Sequence, residues 1–310
     1  MSRTSYGFAA VSGGTLLLAA FYAAGLYVPM PGLPDSFLSA AGAAAVILIN
    51  GVGLALTGRH VSLRTSVLIP FIYIALVAVN PAALHWSAFH PASLLLLAST
   101  FCYLHFCAIQ SSIEYLAASS FLLGAAGLFV PPILWLFPLL LLLGAGRTAA
   151  KGKGLITAVI GLVLPLLILG SLHYIRGGID AVQPILPDIW EKMSAIHPGI
   201  RHLSAATLIR LLVTLAATLM AVVHIVRHLN TYKTVQALSF VRLITLSAVL
   251  CLMMLLFPAD NRTPCGLAVC LPVTLLLNEY FTAPGKRRAK VSLAVVLCLL
   301  LAAERVSQLL

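Results

Sequence analysis

Long apolar runs with almost no charged residues set the strongest limit on how this chain can fold. The run from Leu155 to Tyr174 contains no Asp, Glu, Lys or Arg, and similar runs recur along the sequence. A membrane core of about 30 Å is crossed by roughly 20 apolar residues in a helix. A helix pairs its own backbone amides, which an open sheet or a loop cannot do in hydrocarbon. Each run is therefore predicted to be a membrane-spanning helix.

The overall composition indicates the same class of protein. The chain is 61% hydrophobic and only 9% charged, and its mean hydropathy is +1.06. Soluble domains carry about 25% charged residues. The formal net charge of +11 does not indicate nucleic-acid binding, because the basic residues flank apolar runs, as they do in cytoplasmic loops of membrane proteins. We therefore expect the lipid bilayer as a partner, and no nucleic acid.

The apolar runs predict an all-α, polytopic transmembrane bundle of about 11 helices, which forms a single integral membrane domain over residues 1–310. The pair Pro131-Pro132 marks the turn before the sixth span, because proline breaks a helix and can also start one. The predicted spans are Phe8–Val28, Phe37–Thr57, Thr65–Val79, Pro91–Cys107, Tyr115–Phe129, Pro132–Leu143, Leu155–Tyr174, Ala205–Val226, Val241–Phe257, Gly266–Tyr280 and Val291–Ala303.

The positions of the basic residues orient these spans. Threading the spans in order collects the basic loops on one side of the membrane, and loops with several acids and fewer bases on the other. The protein is predicted to lie in the cell inner membrane. Because positively charged loops stay in the cytoplasm, its N-terminus is predicted to be on the cytoplasmic side. The basic residues are Arg3, Arg59, Arg64, Arg147, Lys151, Lys153, Arg227, Lys233, Lys286, Arg287, Arg288 and Lys290.

The longest loop, near residues 175–204, is predicted to be extracytoplasmic. It contains Asp180, Asp188 and Glu191. A short interfacial helix near Ile189–Ile196 would place Trp190 among the lipid headgroups.

No nucleotide-binding loop, zinc-protease motif or nucleophile elbow occurs in the sequence, so no cofactor or metal is predicted. The candidate catalytic residues are Asp35, His85 and His90, all in predicted outer loops. The two histidines can bind a metal or an anion, or move protons near neutral pH; the alternative is a structural turn at the membrane interface. Asp35 can act as a metal ligand or a base, or it can cap the helix that follows.

Ionisable residues inside the spans are further candidates, because they are costly in lipid. Glu114 and Glu279 lie near the predicted cytoplasmic face and can carry a proton or bind a cation, or they are interfacial residues beside basic loops. A carrier would have a polar cavity at mid-depth, reached by Asn50 and His105. The ionisable residues in question are His105, Glu114, Arg210, His224 and Glu279.

The stretch Ser120–Pro132, SFLLGAAGLFVPP, and the following Leu134–Pro138 resemble uncharacterised multi-pass inner-membrane proteins of Bacteroidota. The resemblance covers about residues 60–175 and implies a multi-pass membrane protein, but no functional residue. The same stretch is more distantly similar to a helical hairpin of multi-pass glycosyltransferases that use polyprenyl-linked donors. The long acidic first outer loop of those enzymes is missing here. Further residues that fit the first layout are Arg64, Pro70, Asn80-Pro81, His90-Pro91, Gly161, Leu164-Pro165 and His173-Tyr174.

Two hypotheses of function follow. The first is a non-enzymatic inner-membrane protein, either a component of envelope assembly or a small carrier. The second is an enzyme that modifies a lipid-linked glycan or a lipid at an extracytoplasmic site, for which Asp35, His85 or His90 would be indispensable. The first hypothesis implies other envelope proteins as partners, and the second implies a lipid-linked substrate. The sequence leaves open whether the chain is an enzyme.

Overall fold

The structure is a computed structural model. It describes residues 35–60, 63, 68–78, 83, 86–108, 113–144, 152–196, 205–257 and 259–283. Within these residues the chain forms ten α-helices, with 3-10 turns at Pro131–Trp135 and Leu229–Thr231, and no strand. The helices are α1 Asp35–His60, α2 Leu68–Ala78, α3 Phe89–Ala108, α4 Ile113–Phe129, α5 Leu136–Gly144, α6 Lys153–Val182, α7 Ile185–Ser194, α8 Ala205–Arg227, α9 Thr234–Leu256 and α10 Ala259–Thr282.

The all-α fold class is confirmed for the described residues. A helix overlaps every predicted span that falls on them. The first and last predicted spans, Phe8–Val28 and Val291–Ala303, lie outside the described residues. The total number of membrane helices and the cytoplasmic side of the N-terminus therefore stay predictions.

Five helical segments are long and apolar enough to cross a membrane, by length and composition. The most apolar of the five segments is the least buried, and the most buried segment is one of the two least apolar. The most apolar 18-residue stretch of Lys153–Val182 has a mean hydropathy of 2.6, the highest of the five, but only 17% of that stretch is buried, whereas the corresponding stretch of Pro264–Thr282 has a mean hydropathy of 1.4 and is 83% buried. A water-soluble fold would hide its most apolar helix, but lipid is as apolar as leucine. This inversion is compatible with an integral membrane protein. The five segments are Ala41–Arg59, Phe89–Cys107, Lys153–Val182, Thr234–Leu256 and Pro264–Thr282.

The segment predicted as a loop from residue 175 onward is instead largely helical as far as Ser194. Helix α6 continues beyond Tyr174 to Val182, and α7 follows after a short turn. Gly178 interrupts the helical backbone of α6 with φ +68° and ψ −157°, a conformation that glycine adopts without a steric penalty. The polar residues that suggested a loop lie on the exposed faces of helices.

Helix α7 corresponds to the predicted interfacial helix, and it begins and ends slightly earlier than expected. Ile189 and Met193 are half-buried on one face, whereas Trp190 is 65% exposed. The indole N–H of Trp135 donates a hydrogen bond to the Met193 carbonyl oxygen, at 3.2 Å. An amphipathic helix with an exposed tryptophan is typical of the membrane interface.

The chain divides into two compact units. Unit 1 comprises Met1–Ala41 and Ser87–His197, and unit 2 comprises Gly42–Trp86 and Pro198–Leu310. Among the described helices, α3 to α7 belong to unit 1, and α2, α8, α9, α10 and most of α1 belong to unit 2. The single membrane domain over residues 1–310 stays a prediction.

Helix α10 is the central helix of unit 2 and packs against α9, α2 and α8. Almost every residue from Cys265 to Tyr280 is buried. The hydroxyl of Thr274 donates to the Cys270 carbonyl oxygen of the same helix, at 2.6 Å. A helix that protein surrounds in this way places any polar side chain it carries in the protein interior.

Helix α4 is the central helix of unit 1, and it packs against α3 and α6. Ser99 of α3 and Ser119 of α4 each donate a hydrogen bond to the other's carbonyl oxygen, at 2.8 and 3.0 Å. At Gly161 of α6, an added Cβ would lie 2.7 Å from the Ala117 carbonyl oxygen. Small residues therefore allow the close backbone approach that stabilises helix pairs in lipid.

We expect Gly124→Ala to destabilise the protein. The added methyl group would overlap the backbone carbonyl oxygen of Leu162, so α4 and α6 would have to move apart. Overpacking of this kind costs about 1–3 kcal/mol. The thermal unfolding midpoint of the detergent-solubilised protein should therefore fall by roughly 2–8 °C.

The matched control is Gly170→Ala in α6, because the new methyl group would meet only Val182 Cγ1, at 3.9 Å. Its unfolding midpoint should not fall. If Gly124→Ala also unfolded at the wild-type temperature, the described packing of α4 on α6 would be contradicted.

Candidate functional site

The C-terminal end of α10 carries two polar side chains that are almost completely buried. Asn278 is 2% exposed and Glu279 is 1% exposed. They directly follow the buried residues Leu275–Leu277 on the central helix of unit 2. A carboxyl group in such a place is costly unless it is protonated or receives hydrogen bonds. The groups around Glu279 therefore decide what this position can do.

The connection between α8 and α9 supplies one hydrogen-bond donor to Glu279. The hydroxyl of Tyr232 donates to Glu279 Oε1, at 3.1 Å. Tyr232 directly follows the 3-10 turn Leu229–Thr231 with an extended backbone, φ −84° and ψ 151°. Its ring packs on Phe240, with 5.0 Å between the ring centroids. The turn and the ring contact thus hold the phenol hydroxyl over the buried carboxyl group.

Two histidines of α8 flank this pair of residues. The ring of half-buried His224 meets Tyr280 edge-on, at 5.5 Å between centroids. It also lies 4.5 Å from the ring of exposed His228, one helical turn later. His228 Nδ1 lies 2.9 Å from the His224 carbonyl oxygen, so this nitrogen carries the proton of the hydrogen bond. Ring contacts therefore extend from the exposed His228 through His224 to Tyr280, the residue next to Glu279.

Arg242 is a second buried residue of unit 2 with a formal charge. It lies on the buried face of α9, with Ser239, Leu243 and Leu246, and is 8% exposed. Of the Asp, Glu, Lys and Arg side chains whose exposure the structure describes, Arg242 and Glu279 are the buried ones. Unit 2 therefore contains a cationic and an acidic group in its interior.

The three catalytic residues predicted from sequence are placed as follows. Asp35 is the first residue of α1, but its side chain lies outside the described residues, as does all of His85. His90 is fully buried at the start of α3, and its Nδ1 accepts a hydrogen bond from the Ser87 backbone N–H, at 3.1 Å. This geometry gives His90 a structural role in the turn before α3. A catalytic role for any of the three stays a prediction.

The polar residues expected to line a mid-depth cavity each have neighbours within their own unit. In unit 2, the Asn50 amide donates to the Tyr73 hydroxyl, at 3.2 Å. In unit 1, the His105 ring lies 4.3 Å from that of Tyr115 and stacks on Phe101, at 5.9 Å. Helix packing thus accounts for these contacts of both residues.

Glu279 is a candidate from the sequence alone, whereas nothing in the sequence pattern singles out Arg242 or Tyr232. Arg242 was the second residue of the predicted span Val241–Phe257, and an arginine at the edge of a span is unremarkable. Helix α9 actually begins at Thr234, so Arg242 lies about two turns inside it. The signal that could have found it is the length of the helix, because residues 234–241 contain no charged residue or proline that would exclude them from the span.

Comparison with family models, curated proteins and solved structures gave no match. Within the described residues, no group of three or more His, Cys, Asp or Glu side chains is placed to hold a metal ion. The geometry around Glu279 is therefore the basis for a functional proposal.

We expect Tyr232→Phe to destabilise the protein by about 1–3 kcal/mol, because the buried carboxyl group of Glu279 loses a donor. The measurement is thermal unfolding of the purified protein in detergent. Tyr174→Phe is the matched control, since Tyr174 is 60% exposed and its substitution should leave the unfolding midpoint unchanged. Equal midpoints for the two variants would show that the Tyr232–Glu279 hydrogen bond contributes nothing to stability.

Proposed function

We propose that this chain is a small multi-pass carrier in which Glu279 binds and releases a proton during transport. The observation that supports the proposal is the burial of Glu279, at 1% exposure, under the hydroxyl of Tyr232. A carboxyl group can change its charge by taking up one proton, and the tyrosine hydroxyl can donate to the charged or the neutral form. Ionisable groups in the interior of membrane proteins characteristically mark proton relays and ion pathways.

A carrier accounts for this arrangement better than an envelope-assembly component does. A scaffold gains nothing from a buried acid, since replacing buried charged groups by well-packed apolar residues is often neutral or stabilising. A proton carrier requires an acid that is shielded from water. The histidines at the end of α8 offer a route for the proton, because their rings reach from the exposed His228 to Tyr280, next to Glu279.

The enzyme hypothesis remains the alternative. An enzyme that modifies a lipid-linked glycan or a lipid on the extracytoplasmic side would rely on Asp35, His85 or His90. Of these, His90 is buried and hydrogen bonded to Ser87, which favours a structural role. The alternative stays a prediction, as does the resemblance to multi-pass inner-membrane proteins of Bacteroidota.

The proposed location is the cell inner membrane, with the N-terminus in the cytoplasm. The basic loops support this orientation, because Lys and Arg are retained on the cytoplasmic side. In this orientation Glu279 and the end of α8 lie near the cytoplasmic face. The proposed partners are the lipid bilayer and a small solute, without nucleic acid.

Glu279→Gln is expected to abolish proton uptake by the reconstituted protein. Full-length protein is inserted into liposomes that contain a pH-sensitive dye, and a potassium gradient with valinomycin makes the interior negative. The external buffer contains amino acids, sugars, inorganic phosphate and dicarboxylates. Wild-type liposomes should acidify several-fold faster than protein-free liposomes, and the variant should lose at least about 90% of this increase, since glutamine cannot take up a proton.

The matched control is Glu114→Gln, because Glu114 is exposed in the first turn of α4. This variant should acidify at the wild-type rate. Two results would reject the proposal: wild-type protein that acidifies no faster than protein-free liposomes, or Glu279→Gln that acidifies as fast as the wild type.

Reporter fusions test the proposed orientation in cells. Alkaline phosphatase is active only outside the cytoplasm, and green fluorescent protein fluoresces when it folds inside. We expect phosphatase activity from a fusion after Asp188 and fluorescence from a fusion after Thr148, because the positively charged loops are retained inside. The opposite pattern would place the N-terminus outside.

A further inference from the structure

Arg242 is a largely buried arginine that forms no ion pair within the described part of the chain. The residue is 8% exposed, and its guanidinium group forms no ion pair or hydrogen bond within the described residues. The guanidinium nitrogens are not among the fully buried polar atoms without a partner, so the tip of the side chain is accessible to a ligand although the rest of it is buried.

The register of α9 against α10 places Arg242 near the buried polar end of unit 2. The side chain of Met254 lies against Gly266, where a Cβ would be 3.1 Å from Met254 Sδ. The two helices are antiparallel neighbours. Twelve residues towards the start of α9 lead to Arg242, and twelve residues towards the end of α10 lead to Asn278. Both steps cover about 18 Å at the rise of an α-helix, so Arg242 lies at the level of Asn278 and Glu279.

We propose that Arg242 binds an oxyanion, a carboxylate or phosphate group, which is the cargo of the carrier. Arginine is well suited to this task, because its planar guanidinium group donates two parallel hydrogen bonds to the oxygens of such a group. The neighbouring acid Glu279 would repel an anion when charged and tolerate it when protonated. Anion binding and proton uptake therefore favour each other, and this rests on the proposed carrier function.

Each helix that packs in unit 2 carries charged or titratable groups. Tyr232 precedes α9, and Arg242 lies within it. Glu279 and Tyr280 belong to α10, and His224 with the exposed His228 ends α8. Tyr73 of α2 is hydrogen bonded to Asn50. Among the described members of this group, the acid is Glu279, so its protonation removes the negative charge beside the anion.

Anion binding is tested on the full-length protein in detergent by thermal unfolding. The probes are inorganic phosphate and succinate, each compared with chloride at equal ionic strength and pH 7. Wild-type protein should unfold roughly 2–5 °C higher with at least one probe, because a ligand stabilises the folded state that binds it. Arg242→Gln should lose this shift entirely. An equal shift in Arg242→Gln would overturn the proposal.

Two further variants test whether the stabilisation is a general salt effect and whether it requires the geometry of the guanidinium group. Arg59→Gln removes an exposed arginine in the last turn of α1 and should retain the wild-type shift, which separates specific binding from general salt effects. Arg242→Lys retains the charge but not the two-pronged geometry, so its affinity should fall by about tenfold. If Arg242→Gln does not fold, the decision rests on Arg242→Lys, and wild-type affinity in that variant would overturn the proposal.

The source of the oxyanion is decided in lipid nanodiscs. Stabilisation by soluble phosphate or succinate in phosphatidylcholine nanodiscs indicates a free anion. Stabilisation that requires phosphatidylglycerol and is lost in Arg242→Gln indicates a lipid phosphate instead. Absence of both effects in the wild type overturns the proposal.

These binding measurements do not depend on transport. If anions bind through Arg242 but liposomes show no proton uptake, the carrier function fails while the binding site stands. If protons are taken up but no anion stabilises the protein, the carrier function stands and the oxyanion cargo is rejected.

Discussion

Backbone amides have no water to bond with in hydrocarbon, and the rest of this structure depends on that constraint. Every described element is accordingly a helix or a helical turn. Hydroxyl side chains follow the same rule: Thr57 and Ser247 each donate to a carbonyl oxygen one turn earlier in their own helix. Polar atoms that are hydrogen bonded within their own helix need no hydrogen-bond partner from a neighbouring helix. Packing and a few buried ionisable groups therefore distinguish one helix from another.

Close packing replaces hydrophobic collapse as the force between these helices. Lipid solvates an apolar side chain as well as another helix does, so association relies on van der Waals contact between closely approaching backbones. In unit 1, Gly124 and Gly161 allow α4 and α6 to approach, while the outer face of α6 remains exposed and apolar. In unit 2, α10 takes the central position although it is less apolar than α6. The most apolar helix is therefore compatible with contact with lipid, whereas the most buried helix can enclose polar side chains.

The cost of burying polar side chains is highest at the end of unit 2 that contains Glu279 and Arg242. Glu279 can become neutral by binding a proton, and Tyr232 is positioned to donate to its oxygen. Arg242 has no such freedom, because it stays charged at any physiological pH. A titratable acid and a permanent cation at similar depth differ in what they require: one needs a proton and the other needs an anion. This difference connects the proposed proton site with the proposed oxyanion site.

The sequence by itself determined the all-helical class, the helices of the described spans and the presence of a short amphipathic helix at α7, because apolar run length and amphipathic spacing are local properties. It indicated Glu279 as a candidate, but the burial of this residue was decided by the packing of α10 among α2, α8 and α9. The structure also decided the continuation of α6 through Tyr174, the depth of Arg242 in α9 and the contact of Tyr232 with Glu279. The burial of a side chain and its hydrogen-bond partners depend on which distant segments of the chain come into contact. The local sequence does not specify these contacts.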